Sequence, residues 1–186
     1  MAASASSPAA DHTHTVRAEL VEALAHTLQE PFDKLRANGY LFKAMKFSVR
    51  IPFVELLGFE LQKFEGGEAE IAFKPSDDHL NSFDVVHGGA SMTLLDVVMA
   101  HAARSVEPDM GCVTIEMKTS FMRAAKGPLL AKGKLLHRTA TMAFTEGSIF
   151  DAAGKLCAHA TGTFKFVARL PVGPGSTQAF NRISTD

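Results

Sequence analysis

Between Asn81 and Asp96 the chain sets out an amide, an imidazole, two adjacent glycines and a carboxylate in the pattern N-x5-H-G-G-x6-D. Glycines at the start of a helix let a ligand come close to the backbone. The first N–H groups of a helix have no internal partner, and the helix dipole adds partial positive charge there. Gly88 and Gly89 therefore mark a site for an anion, or for an oxygen that becomes one during reaction. Asn81 can add an amide donor from the loop before it. Asp96 lies about two turns further on, inside a run that is otherwise apolar almost all round. A carboxylate in such a helix costs several kcal/mol unless it is paired or hydrated. Singly, each residue has a plain reading: turn glycines, a loop histidine, a carboxylate bonded to a nearby hydroxyl. Together they have the composition of a base and an oxyanion hole.

Several elements must hold these groups in place. The helix that carries Asp96 is expected from Gly88 to about Ser105. Before it, "GFELQKFEGGEAEIAFKP" alternates apolar and polar residues around Gly66-Gly67, which predicts a β-hairpin. After it, "CVTIEMKTSFM", "LLAKGKLLHRT", "TMAFTEGSIFD" and "KLCAHATGTFKFVA" read as four more strands, the last two joined by a turn at Asp151–Gly154. The fold class is α+β, with six sequential antiparallel strands in one curved sheet around one central helix. A helix apolar on every side must be covered on every side, and one sheet covers about half of it. A second subunit is expected to cover more.

Domain organisation follows composition. Residues 1–15 are small and polar and read as a disordered tail, with His12 and His14 in it. Residues 16–50 read as a helical N-terminal extension, with Leu20, Val21, Leu24 and Leu28 at helical spacing. The core domain is assigned to 51–168. The Pro/Gly/Ser-rich segment 169–186 reads as a C-terminal tail. A chain of 186 residues at a net charge of −1 offers no basic patch for nucleic acid or an anionic membrane. Cys112 and Cys157, the two cysteines, sit in apolar strands and are expected as buried, reduced thiols. The sequence has no metal-ligand spacing and no apolar run near the roughly 20 residues that span a bilayer, and residues 1–15, without a basic segment or an apolar core, are not expected to act as a secretory leader. A soluble, cytoplasmic protein is expected.

The motif N-x5-H-G-G-x6-D resembles the signature of the PaaI-like branch of the hotdog-fold acyl-CoA thioesterases. The resemblance extends from about Phe53 to Ala168 and includes "VTIEMKTSFMRAAKG" and "EGSIFDAAGKLCAHATGTF". It implies a hotdog fold and hydrolysis of an acyl-CoA thioester. The Gly88 N–H and the Asn81 side chain would polarise the carbonyl, and His87 would support the loop. Asp96 would activate water or attack directly, and Thr114 would orient the water. It also implies a homodimer whose two sheets become continuous, many members being dimers of dimers. Asn81, His87 and Gly88 would come from one chain and Asp96 and Thr114 from the other. Gly89, Phe83, Met92 and Arg123 are assigned to substrate binding, with Met99 and Phe121 as further possible liners. Lys118, Arg123, Lys126, His137 and Arg138 are candidates for the coenzyme A phosphates. No metal and no cofactor are expected, coenzyme A entering as part of the substrate. Two alternatives remain: a non-catalytic acyl-CoA-binding regulator and a hotdog dehydratase. The first lacks its DNA-binding segment here, and the second uses a different arrangement of its histidine.

Overall fold

A computed structural model describes residues 45–168. The expectations for residues 1–44 and 169–186 lie outside the described residues. Residues 45–50 form no helix, and Met45 instead donates its N–H to the Leu61 carbonyl at 2.8 Å. A short helix that the sequence pattern did not announce, α1 (Pro52–Leu56), follows. Proline in its first turn suits the fixed φ of that residue. It buries Val54 and runs into Gly58, which takes φ +68°.

The strands are β1 (Phe59–Glu65), β2 (Glu68–Phe73), β3 (Gly111–Phe121), β4 (Leu129–Arg138), β5 (Met142–Asp151) and β6 (Leu156–Val167). The β1–β2 hairpin turns at Gly66 and Gly67, both at positive φ, the geometry a two-residue hairpin loop demands. All pairings are antiparallel, in the order β1-β2-β4-β5-β6-β3. The strands are thus not neighbours in chain order throughout. β3 crosses to the far edge and pairs with β6, and among the described residues its other edge has no partner.

The central helix α2 (Gly88–Arg104) lies against one face of this sheet. Leu94, Leu95, Val98, Met99 and Ala102 are fully buried there. Glycines on three strands let the helix sit directly on the backbone. A Cβ on Gly133 would come within 2.5 Å of the Val98 carbonyl oxygen, and one on Gly147 within 2.9 Å of Met99 Cγ. On Gly162 it would meet Met99 Cε at 3.1 Å. Met99, expected as a possible pocket liner, is instead the filler between helix and sheet. The helix is not covered on every side by its own chain. Gly89, Met92, Asp96 and Ala100, at spacings of three and four, form a stripe that stays wholly or partly open. Among the described residues no helix is long and apolar enough to cross a membrane.

Candidate active site

The loop before α2 is tied tightly to itself. Asn81 N–H donates to Val85 O, Asp84 N–H to Asn81 O, and His87 N–H to His79 O. The Asn81 side-chain oxygen accepts from Phe83 N–H at 2.9 Å. That bond fixes the amide so that its NH2 faces away from the turn, and among the described residues the NH2 has no partner. His87 is the N-cap of α2, its Nδ1 accepting from Gly89 N–H at 2.9 Å. A Cβ on Gly89 would lie 3.0 Å from that nitrogen, so the second glycine makes room for the cap. The two glycines therefore divide their roles. Gly89 N–H is taken by His87, while Gly88 N–H donates to no group among the described residues. The Phe121 ring stands beside Gly88, 3.6 Å from where a Cβ would be.

Asp96 faces the opposite half of β3. Thr114 Oγ1 donates to Asp96 Oδ1 at 2.7 Å. Burial pushes the Asp96 carboxyl above the usual carboxylate range, and the Thr114 hydroxyl offsets part of that rise. Thr114 owes its direction to a β-bulge. The β3–β6 register slips between Thr114 and Glu116, leaving Ile115 unpaired. Cys112 and Thr114 pair with the inward Phe166 and Phe164, and beyond the bulge Met117, Thr119 and Phe121 pair with the inward Gly162, Ala160 and Ala158. Both segments thus face α2 although the count between them is odd.

One chain brings Asp96 to Thr114 and sets Asn81, His87 and Gly88 together at the helix start. It does not join the two groups, because eight residues of α2 separate Gly88 from Asp96, about 12 Å at 1.5 Å per residue. Phe83 (79 % exposed), Met92 (40 %) and Phe121 (54 %) present apolar surface around the helix start. The basic candidates do not gather. Arg123 and Lys126 follow the end of β3, whereas His137 and Arg138 lie at the end of β4 that is level with Thr114, across β5 and β6. Arg138 is engaged by Glu107 at 2.7 Å and lies over the Phe166 ring, and His137 stacks on Phe144. A hollow of about 330 Å³ lies on the outer face of the sheet, away from Asp96, lined in part by the Glu70–Lys132 ion pair. Among the described residues no three His, Cys, Asp or Glu side chains gather as metal ligands.

A cluster the sequence reading missed lies at the other end of α2. His101 and Arg104 are 3 % and 4 % exposed. His101 Nδ1 bonds Val97 O at 2.8 Å, and its ring is flanked by Phe47 and Phe64. Arg104 donates to Ser48 Oγ and to the Met110 and Pro108 carbonyls.

The chain has relatives among known proteins. The thioesterase superfamily model matches residues 83–158. A protein of Saccharolobus solfataricus, provisionally named an esterase, is 31% identical over 141 residues, covering 75% of this chain and 96% of that one. A conserved protein of Pseudomonas aeruginosa superposes with a TM-score of 0.62 at 29% identity, over 64% of this chain and 97% of the other. The phenylacetic acid degradation protein PaaI of Thermus thermophilus, in an N33D form, gives a TM-score of 0.57 at 27% identity, over 64% of this chain and all of that one (100%). With its six-stranded sheet, the long helix packed against it and these relatives, the chain belongs to the thioesterase superfamily, in its PaaI-like branch, and has the hotdog fold.

Proposed function

We propose that this chain hydrolyses acyl-CoA thioesters to a free acid and coenzyme A, at a site completed by a second copy of the chain. The observation that carries the reading is the Thr114–Asp96 hydrogen bond on the open stripe of α2, beside the edge of β3 that has no partner among the described residues. Gly88 N–H and the Asn81 NH2 polarise the thioester carbonyl. Asp96 of the other copy takes a proton from water held by the Thr114 hydroxyl, and the water oxygen bonds to the carbonyl carbon. The oxyanion is held by the same two donors until the C–S bond breaks. The thiolate then takes up the proton held by Asp96, which restores the carboxylate. In the variant course, Asp96 attacks the carbon itself and water later cleaves the anhydride. The raised affinity of Asp96 for protons suits a base better than an ordinary surface carboxylate would. His87 holds the helix start. Gly89, Phe83 and Met92 border the acyl group, and Arg123 is the cation we assign to a coenzyme A phosphate. The chemistry uses no metal and no cofactor. The working assembly is a homodimer or a dimer of dimers.

The test is thiol release from a panel of aryl-, short- and long-chain acyl-CoAs by protein dialysed against EDTA. Wild type is expected to turn over at least one of them. Asp96→Asn should lower kcat about a hundredfold or more, the scale of a lost general base, with an unchanged circular dichroism spectrum. Near-normal turnover by that variant would sink the assignment. Tight binding of acyl-CoA without thiol release would favour the regulator instead.

A further inference from the structure

Among the described residues, two buried side-chain polar atoms have no hydrogen-bond partner: His101 Nε2 and Thr119 Oγ1. The first belongs to a ring boxed by aromatic side chains far from the helix start. The second lies on the wall of the candidate active site. Thr119 is on the row of β3 that faces α2, between Met117 and Phe121. Phe121, the next inward residue, is the one whose ring touches Gly88. Thr114, the partner of Asp96, is on the same row beyond the bulge. Opposite Thr119 on β6 is Ala160, which is fully buried and offers only a methyl group.

A buried hydroxyl with no partner costs free energy that a valine of the same shape would avoid. Native chains leave few such groups, and one in a site wall calls for a ligand to meet it. We infer that Thr119 is a specificity determinant: its hydroxyl bonds an oxygen on the acyl group, so that preferred substrates carry a hydroxyl or oxo substituent near the thioester. This rests on the acyl-CoA reading given above. Thr119 stands one inward step along β3 from the ring against Gly88, about 7 Å at a strand's rise per residue. That spacing puts its hydroxyl within reach of the first carbons of an acyl chain whose carbonyl is held by Gly88. The residue as a whole is only partly buried, while its hydroxyl oxygen is closed to solvent in the single chain.

The experiment compares butyryl-CoA with its 2-hydroxy, 3-hydroxy and 3-oxo derivatives, in wild type, Thr119→Val and Thr119→Ser. Wild type should favour at least one oxygenated substrate by kcat/KM. Thr119→Val should lower that preference about tenfold, the scale of one lost hydrogen bond to a buried partner, and Thr119→Ser should retain it. An unchanged ratio in Thr119→Val, or an equal loss on all four thioesters, would overturn the inference. Should wild type release no thiol from any thioester, the hydrolase reading fails by itself. Calorimetric affinities of the same four compounds for wild type and Thr119→Val then decide the role of Thr119 by the same ratio.

Discussion

Burial moves Asp96 and His101, two of the titratable groups in α2, in opposite directions, each toward its neutral form. It raises the Asp96 carboxyl and lowers His101 to about 4, with Arg104 adding to the second effect and the Val97 carbonyl opposing it. For His101 the sign is clear. The folded protein resists the proton that the unfolded chain accepts near pH 6.5. Stability is therefore complete above that pH and is lost as pH falls from about 6.5 toward 4, by an amount approaching about 3 kcal/mol. His101→Gln cannot take up the proton, so its denaturation free energy should decline less over that interval. Parallel declines in urea titrations at stepped pH would show that His101 is not held neutral. Asp96 was legible because a lone carboxylate stands out in an apolar run. Arg104 and His101 were not. A cation and an imidazole in a last helical turn read as surface residues, and the groups that allow them inside are a serine 56 positions away, carbonyls beyond the helix and two aromatic rings.

Among the elements, the contact of α2 with the sheet is the tightest constraint. Gly133 admits no Cβ, since one would stand 2.5 Å from the backbone carbonyl of Val98, and backbone cannot rotate away as a side chain can. Gly133→Ala should therefore push the helix outward and cost about 1–3 kcal/mol, the scale of overpacking. A calorimetric Tm equal to that of wild type would show that the helix has slack. Helix and strand positions were legible to within a residue or so from periodicity, apart from α1, which is too short to carry a period. The place of β3 in the sheet was not, because strand order is settled by long-range packing. Its bulge was hidden too. Strict alternation in "CVTIEMKTSFM" puts Val113, Ile115, Met117 and Phe121 on one face and Thr114 with Glu116 and Lys118 on the other. The slip at Ile115 reverses this for Cys112–Thr114 and turns Thr114 inward.

At the scale of the whole molecule, the proposed shared site fixes how two copies meet. Asp96 is level with Thr114, and Gly88 with Phe121. Across β6 these levels are Phe164 and Ala158, and the position midway is Thr161, opposite Lys118. For Gly88 of one copy to face Asp96 of the other, a twofold axis through Lys118 must relate two antiparallel β3 strands. Each Lys118 then stands opposite its counterpart on the solvent face, where their repulsion is screened. Opposed Cβ atoms in such a pair are about 4.5–5.5 Å apart, close to disulfide reach. Lys118→Cys should therefore cross-link the dimer under mild oxidation, more readily than Glu116→Cys or Ser120→Cys. Cross-linking strongest at either flanking position, or at none of the three, would refute this register. The expectation of a second copy came from an all-apolar helix that one sheet could not cover, and the structure leaves the stripe from Gly89 to Ala100 wholly or partly open.

The slip at Ile115 also has an energetic meaning. Val113 and Ile115, two of the best strand formers, are left 42 % and 55 % exposed while a threonine takes the inner position. Fully burying such a side chain is worth about 1.5–3 kcal/mol, and each is already about half buried, so the single chain forgoes at most about 3 kcal/mol to aim one hydroxyl at one carboxylate. Mutations that iron the strand flat would improve the isolated fold and ruin the proposed site. Selection for heat resistance alone, with no demand for turnover, should drift toward them.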